Sequence, residues 1–240
     1  MRSLDFLEES IEDTGIFKAC FMSGLPGAGK STVISKITNG GVDPRIVNTD
    51  KTYEFLLGKH SKEANATAWN LLGPISKTMN NKMLYYYLNS VLPLFVDGTS
   101  SNTGALLHRA GILEGLGYDT MMIWINVDIE TAIQRAQERT KRPVDERFIR
   151  YVFRQMDGNK EYYKSRFGAN FIEVDNNGDN FGQMEGKTYN IANQFFLSEV
   201  KNPVGKQTIK KMEQTGEKYL TPNIHSEEHL KSLVSNWYQS

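Results

Sequence analysis

Gly24, Leu25, Pro26, Gly27, Ala28, Gly29, Lys30, Ser31 and Thr32 match the phosphate-binding pattern G-x-x-x-x-G-K-[ST] at every fixed position. These residue types suit one chemistry. Glycines let the backbone curl until successive N–H groups converge on phosphate oxygens. A helix starting at the end of the loop adds its partial positive charge. Lys30 is then placed to reach the β- and γ-phosphates of a nucleoside triphosphate, and the Ser31 hydroxyl to sit on Mg²⁺. An ordinary Gly-rich turn explains the run less well, because strand, loop, Lys-Ser and helix follow in the required order. A nucleoside triphosphate and Mg²⁺ are the expected ligands.

Two aspartates stand at the ends of apolar runs. Asp50 follows the short run 45–48, at the strand end where open α/β sheets bind ligands. It faces whatever lies against the phosphate loop, or it caps a helix starting at Lys51; its position favours the first reading. Asp97 closes the run 91–96, the arrangement that helps to hold Mg²⁺ in P-loop proteins. Gly98 follows it where many ATPases place a water-activating Glu, which disfavours a dedicated hydrolase. Thr99 and Asn102 extend this polar tip. Arg109 lies on the next helix, with equal claims as a surface charge and as a ligand contact. Asp97, Thr99, Asn102 and Arg109 are the candidate substrate contacts. Further on, Arg135, Arg139 and Arg142 fall at i, i+4 and i+7 ahead of Pro143. That spacing suits a lid over phosphates better than a solvated basic face, given the loop upstream.

Strands and crossover helices must position these groups. Strands are expected over 16–22, 45–48, 91–96, 120–127 and 170–174. A short helix is expected over 1–14, a turn at Asn39-Gly40-Gly41, and a helix capped by Asp128 with Ile129, Ala132, Ile133 and Ala136 inward. Pro143 should stop that helix. One amphipathic helix should follow over 144–163 with Phe148, Ile149, Val152, Phe153 and Met156 inward, and another over 183–200. Residues 51–90 read as a helical insertion broken at Gly73-Pro74, its aromatics mostly core. Alternation of strands and helices implies an α/β fold, a parallel sheet with helices on both faces. Residues 1–200 form the expected P-loop domain, with a lid region at 128–163, and 201–240 a solvated helical tail with its own helix over 226–237.

Composition sets bounds. The chain has 240 residues, enough for one α/β domain with an appendage, and an apolar content of 39% supports a core. No apolar run is long enough to span a membrane, and the acidic start does not resemble a signal peptide. A single cysteine, Cys20, excludes an internal disulfide framework and agrees with a cytoplasmic setting. Lys+Arg and Asp+Glu balance at 28 each, so net charge does not point to nucleic acid. Oligomeric state is not encoded in any feature. His225-Ser226-Glu227-Glu228-His229 matches a zinc motif in letters only, and 175–180 fails as a calcium loop at its Gly and Glu positions.

Residues 24–32, the strand ending in Asp50, the Asp97-Gly98-Thr99 tip and the stretch from Ile125 through Arg135, Arg139, Arg142 and Pro143 to Ile149 together resemble the P-loop kinases related to polynucleotide kinase and zeta toxin. The resemblance spans about residues 15–180. It implies a nucleoside-monophosphate-kinase-like fold with strand order 2-3-1-4-5. It also implies an ATP-dependent transfer of the γ-phosphate to an alcohol. Asp50 maps to the general base on the acceptor hydroxyl, and Arg139 and Arg142 to the phosphate clamp, with Arg135 a poorer match. One branch, phage kinases that phosphorylate 5-hydroxymethyluracil in DNA, is similar in size and style, and implies DNA with a modified base as partner. A nucleic-acid 5′-hydroxyl or a nucleotide-sugar is the alternative acceptor, and a nucleotide-switched binding protein the alternative function. Substrate choice is expected to reside in 51–90 and 201–240.

Overall fold

Five short stretches pair side by side: β1 (Lys18–Ser23), β2 (Arg45–Val47), β3 (Leu94–Asp97), β4 (Asp119–Asn126) and β5 (Phe171–Asp175). All neighbours run parallel, in the order β2-β3-β1-β4-β5, which is the P-loop kinase arrangement expected. The computed structural model describes residues 14–38, 42–60, 65–139, 144–177, 181–221 and 224–238. Each β1 residue is buried, so helices cover the central strand on both faces, while β5 alternates buried and exposed as a one-sided edge. Register sets Met22 opposite Asp97 and Val47 opposite Val96. Parallel strands all leave the sheet at the same end. The phosphate loop, Asn48–Asp50 and Asp97–Thr99 therefore emerge together.

The helices are α1 (Lys30–Thr38), α2 (Thr49–Lys59), α3 (Ala66–Asn89), α4 (Thr103–Gly115), α5 (Ile129–Gln137), α6 (Glu146–Met156), α7 (Asn159–Phe167), α8 (Phe181–Leu197), α9 (Pro203–Thr215) and α10 (Glu227–Asn236). Three expectations for the helices of residues 51–163 need correction. First, Gly73-Pro74 does not break the insertion, because α3 runs through it. The Trp69 ring lies over Gly73, 3.2 Å from where a Cβ would stand. Ser76 and Thr78 hydroxyls donate to the Gly73 and Pro74 carbonyls at 2.9 and 3.0 Å. Packing of Ala68 and Leu72 on Tyr53, Leu56 and Leu57 of α2 then offsets the lost backbone bond. Second, α5 stops at Gln137 with Glu138 as its C-cap, well before Pro143. Arg139 lies past the helix end, so it does not share a helical face with Arg135. Third, residues 144–163 form two helices, α6 and α7, that meet at Asp157-Gly158. Ile149, Val152 and Met156 are buried, but Phe148 and Phe153 are 51% and 45% exposed, because α6 buries only one narrow stripe. The helix expected over 1–14 (Thr14 apart), the turn at 39–41, Arg142 and Pro143 lie outside the described residues. No helix among the described residues is long and apolar enough to cross a membrane.

Residues 201–221 and 224–238 are not the solvated tail expected; they dock on the core through their buried side chains. Asp119, at the start of β4, accepts from the Lys18 ammonium (2.8 Å) and from the backbone N–H of Lys201 (2.7 Å) and Asn202 (2.8 Å). Gly205 of α9 then lies against Gly117; a Cβ on Gly205 would meet the Gly117 carbonyl oxygen at 2.3 Å, so only backbone fits there. The chain crosses to the end of α3, where Asn89 Oδ1 accepts from the backbone N–H and the hydroxyl of Thr221. α10 packs along α3 with Leu230, Val234 and Trp237 buried. Hydrophobic residues outside the expected core thus join it. Leu230 is fully buried, so Leu230→Ala is expected to cost about 3 kcal/mol in a urea unfolding curve. A solvated tail would keep the change within about 0.5 kcal/mol.

Candidate active site

A cleft of about 1060 Å³ opens at the carboxyl ends of β1, β2 and β3. One wall is the phosphate loop from Pro26 to Ser31, and the floor is Val47–Lys51 with Val96–Thr99. Tyr53, Glu54 and Trp69 of α2 and α3, Arg109 of α4 and Trp237-Tyr238 beyond α10 close the far side. Arg139, Val144 and Phe148 form the rim above the loop. The site therefore has a phosphate half and a separate half lined by aromatic rings.

In the phosphate half the loop is held tightly. Gly27 has a φ of +89°, and a Cβ there would lie 2.2 Å from the Ala132 carbonyl oxygen of α5. The Lys30 ammonium donates to the Gly24 and Leu25 carbonyls at 2.7 and 3.0 Å. Burial pushes the Lys30 ammonium below its usual range, while the nearby carboxylates of Asp97 and Asp50 oppose that push. Ser31 faces the cleft in the first turn of α1.

The floor carries both aspartates. Asp97 Oδ2 accepts from Asn48 Nδ2 at 2.5 Å, whereas its Oδ1 is buried with no hydrogen-bond partner. A buried carboxylate oxygen left over in the cleft that Ser31 also lines fits a hydrated divalent ion, since Mg²⁺ is held by one or two protein oxygens plus phosphates and waters. Burial pushes the Asp97 carboxyl upward, and Lys30 is the main group opposing it. Asn48, not Asp50, caps α2: its Oδ1 accepts from the Asp50 N–H at 2.7 Å. That leaves the Asp50 side chain exposed in the first turn of α2, on the cleft surface.

The ring-lined half is finished by residues far along the chain. Arg109 Nε donates to the Trp237 carbonyl at 3.0 Å, and its guanidinium lies 5.9 and 5.4 Å from the centroids of Trp237 and Tyr238. His108 bonds to the Asn236 carbonyl at 3.1 Å. These contacts satisfy carbonyls at the end of α10, as basic side chains do at helix C-termini. Thr49 donates its hydroxyl to the Tyr238 phenol at 3.1 Å. Burial pushes the Tyr238 phenol up, so it stays protonated as a donor.

The structure brings Lys30, Ser31, Asp50, Asp97, Thr99, Arg109 and Arg139 to one cleft. Gly24, Leu25 and Thr32 support the loop without lining the cleft. Asn102 does not line it either; its side chain caps α4, accepting from the Ala105 N–H at 3.0 Å. Arg135 donates to the Asn176 carbonyl at 3.3 Å. The sequence reading gives Thr49, at the end of the second strand, no role of its own, and misses Tyr238 and Asn176. Thr49 stands beside a flagged aspartate and was within reach of the strand-end argument. Tyr238 and Asn176 carry no local motif. His225 and His229 stack at 5.5 Å, and among the described residues no three His, Cys, Asp or Glu side chains gather as a metal group.

A family model described as an AAA domain matches residues 20–161, more than half of the chain. No curated protein matches it. Among solved structures, the chain is similar to a protein from Chloroflexus aurantiacus assigned as a kinase, at 14% identity and a TM-score of 0.54, covering 74% of this chain and 97% of that one. It is also similar to a chain from the PezAT chromosomal toxin–antitoxin system of Streptococcus pneumoniae, at 14% identity and a TM-score of 0.54, covering 97% and 93%. Identities this low establish the shared fold.

Proposed function

Because the chain belongs to the AAA domain family and has a P-loop kinase sheet order, we propose that it is an ATP-dependent kinase that phosphorylates an alcohol. One observation carries this reading: Lys30, Ser31, Asp50 and Asp97 share a single cleft that Tyr53, Trp69, Trp237 and Tyr238 also line. The phosphates of ATP lie along residues 26–31, with Lys30 exchanging its loop carbonyls for phosphate oxygens. Ser31 and Asp97 are the residues that would hold Mg²⁺, which would supply charge neutralisation on the phosphates. Arg139 approaches the phosphates from the rim, with Arg142 as its expected companion. Asp50 accepts the proton of the acceptor hydroxyl, a role that needs hydrogen-bond reach to it.

Tyr53, Trp69, Trp237 and Tyr238 suit an acceptor that carries a planar ring, since aromatic faces stack on one another. Arg109 adds a fixed positive charge. Two kinds of acceptor meet that description: a nucleotide-type small molecule, including a nucleotide-sugar, and a base such as 5-hydroxymethyluracil turned out of a DNA strand. Transfer of labelled γ-phosphate from ATP decides between them. The panel holds DNA containing 5-hydroxymethyluracil, the same DNA with thymine, a 5′-hydroxyl oligonucleotide and UDP-sugars. Label on one acceptor identifies the substrate. ATP bound tightly with no label anywhere would instead support a nucleotide-switched binding protein.

Tyr238→Phe removes the phenol without removing the ring. With the identified acceptor it is expected to raise KM about fivefold, the weight of one neutral hydrogen bond, and to leave ATP affinity unchanged. An unchanged KM would remove Tyr238 from the acceptor half.

A further inference from the structure

Asn176 lies behind the phosphate loop, just past β5, and is 7% exposed. Its Nδ2 donates to the Ala28 carbonyl at 2.8 Å. Its own N–H donates to the Asn126 carbonyl, at the end of β4, at 2.8 Å, and its carbonyl accepts from Arg135 of α5. Next to it, Asn177 Oδ1 accepts from the Asp128 N–H at 2.6 Å. Asn176 is therefore anchored from two elements while its amide grips the loop.

A trans peptide points its C=O and the following N–H in opposite directions. Holding the Ala28 carbonyl back on Asn176 turns the Gly29 N–H the other way, toward the cleft that Gly29 lines. Gly29 has a φ of +90°, and a Cβ there would lie 2.6 Å from Asn176 Nδ2. The Asn176 amide thus occupies the space a side chain at position 29 would take. An anion nest needs its N–H groups aimed before the anion arrives.

We propose that Asn176 is a positioning residue for the phosphate loop. It fixes the peptide between Ala28 and Gly29 so that the Gly29 N–H faces the phosphates, and Arg135 ties it to the helix that leads to Arg139. The proposal rests on the nucleotide reading of the loop.

The test is calorimetric binding of MgADP and of pyrophosphate to the full chain, well below its melting temperature. Wild type, Asn176→Ala and Asn176→Asp are compared. Asn176→Asp keeps the shape but loses the donor, so it serves even if Asn176→Ala folds poorly. Both variants are expected to lose roughly tenfold in affinity, by the same factor for the two ligands, since the Gly29 N–H meets phosphate in each. A purely structural role would lower the melting temperature and leave pyrophosphate affinity of the folded protein intact, and that result overturns the proposal. Wild-type protein that binds neither ligand would overturn the nucleotide reading first, and this inference with it.

Discussion

Asp50→Asn is expected to slow phosphoryl transfer by about 10²–10⁴-fold while leaving the dissociation constant of MgATP within about a factor of two. The substitution keeps size and hydrogen-bonding capacity but removes the group that can take a proton. Asp50 lies in the first turn of α2, and the cap there is made by Asn48, so α2 keeps its N-terminal bond in the variant. Its carboxylate acts on Lys30 electrostatically, while the loop carbonyls of Gly24, Leu25 and Ala28 accept from Lys30 and Asn176, which the variant keeps. Binding and chemistry should therefore separate. Single-turnover transfer and equilibrium ATP binding, measured on the same preparation, give the comparison. Equal loss of both would mean that Asp50 shapes the nucleotide site, and the base assignment would fall. Retention of full transfer would mean that another group takes the proton.

The parts of this fold that could be read from sequence are those in which local pattern and global fold agree. The apolar runs ending in Ser23, Asp97 and Asn126 are central strands, buried on both sides, and each is bounded by a polar tip. Parallel connection then forces those tips to one edge, which is why the sequence alone places Lys30, Asp50 and Asp97 together. Asp128 as an N-cap is equally local, a side chain bonding to the Thr131 N–H three residues on. What failed depends on distant partners. Gly73-Pro74 reads as a break because a proline costs a helix about 3 kcal/mol, but the α2–α3 contact outweighs it. Phe148 and Phe153 fit a helical stripe yet stand outside the narrow face that α6 buries. The tail looked solvated because its lysines are conspicuous, while the residues that dock it, Gly205, Leu220, Leu230 and Trp237, are spread over more than thirty positions with no shared motif. The acceptor half follows from that docking. Tyr238 meets Thr49 across a separation of 189 residues, a contact no local spacing rule reports.

Lys30→Ala is expected to lower both ATP affinity and transfer, with transfer falling by about 10²–10³-fold, the usual weight of one preorganised donor aimed at developing charge. The reasoning differs from that for Asp50. Lys30 is the cation on the phosphate wall, and its ammonium already bridges the Gly24 and Leu25 carbonyls. Burial disfavours its charge, so the ammonium is poised to exchange those carbonyls for phosphate oxygens, which compensate it better. Removing it takes away a ground-state contact as well as a transition-state one, so Kd and the transfer rate move together, where Asp50→Asn moves only the rate. It also frees two loop carbonyls, which makes a loop-collapse explanation available. Lys30→Met separates the two, because it keeps the aliphatic stem against the loop while losing the charge. Lys30→Met and Lys30→Ala should then lose transfer alike, with Lys30→Met nearer to wild type in melting temperature. A fully active Lys30→Ala would discredit the phosphate loop itself, and with it the placement of ATP in the cleft.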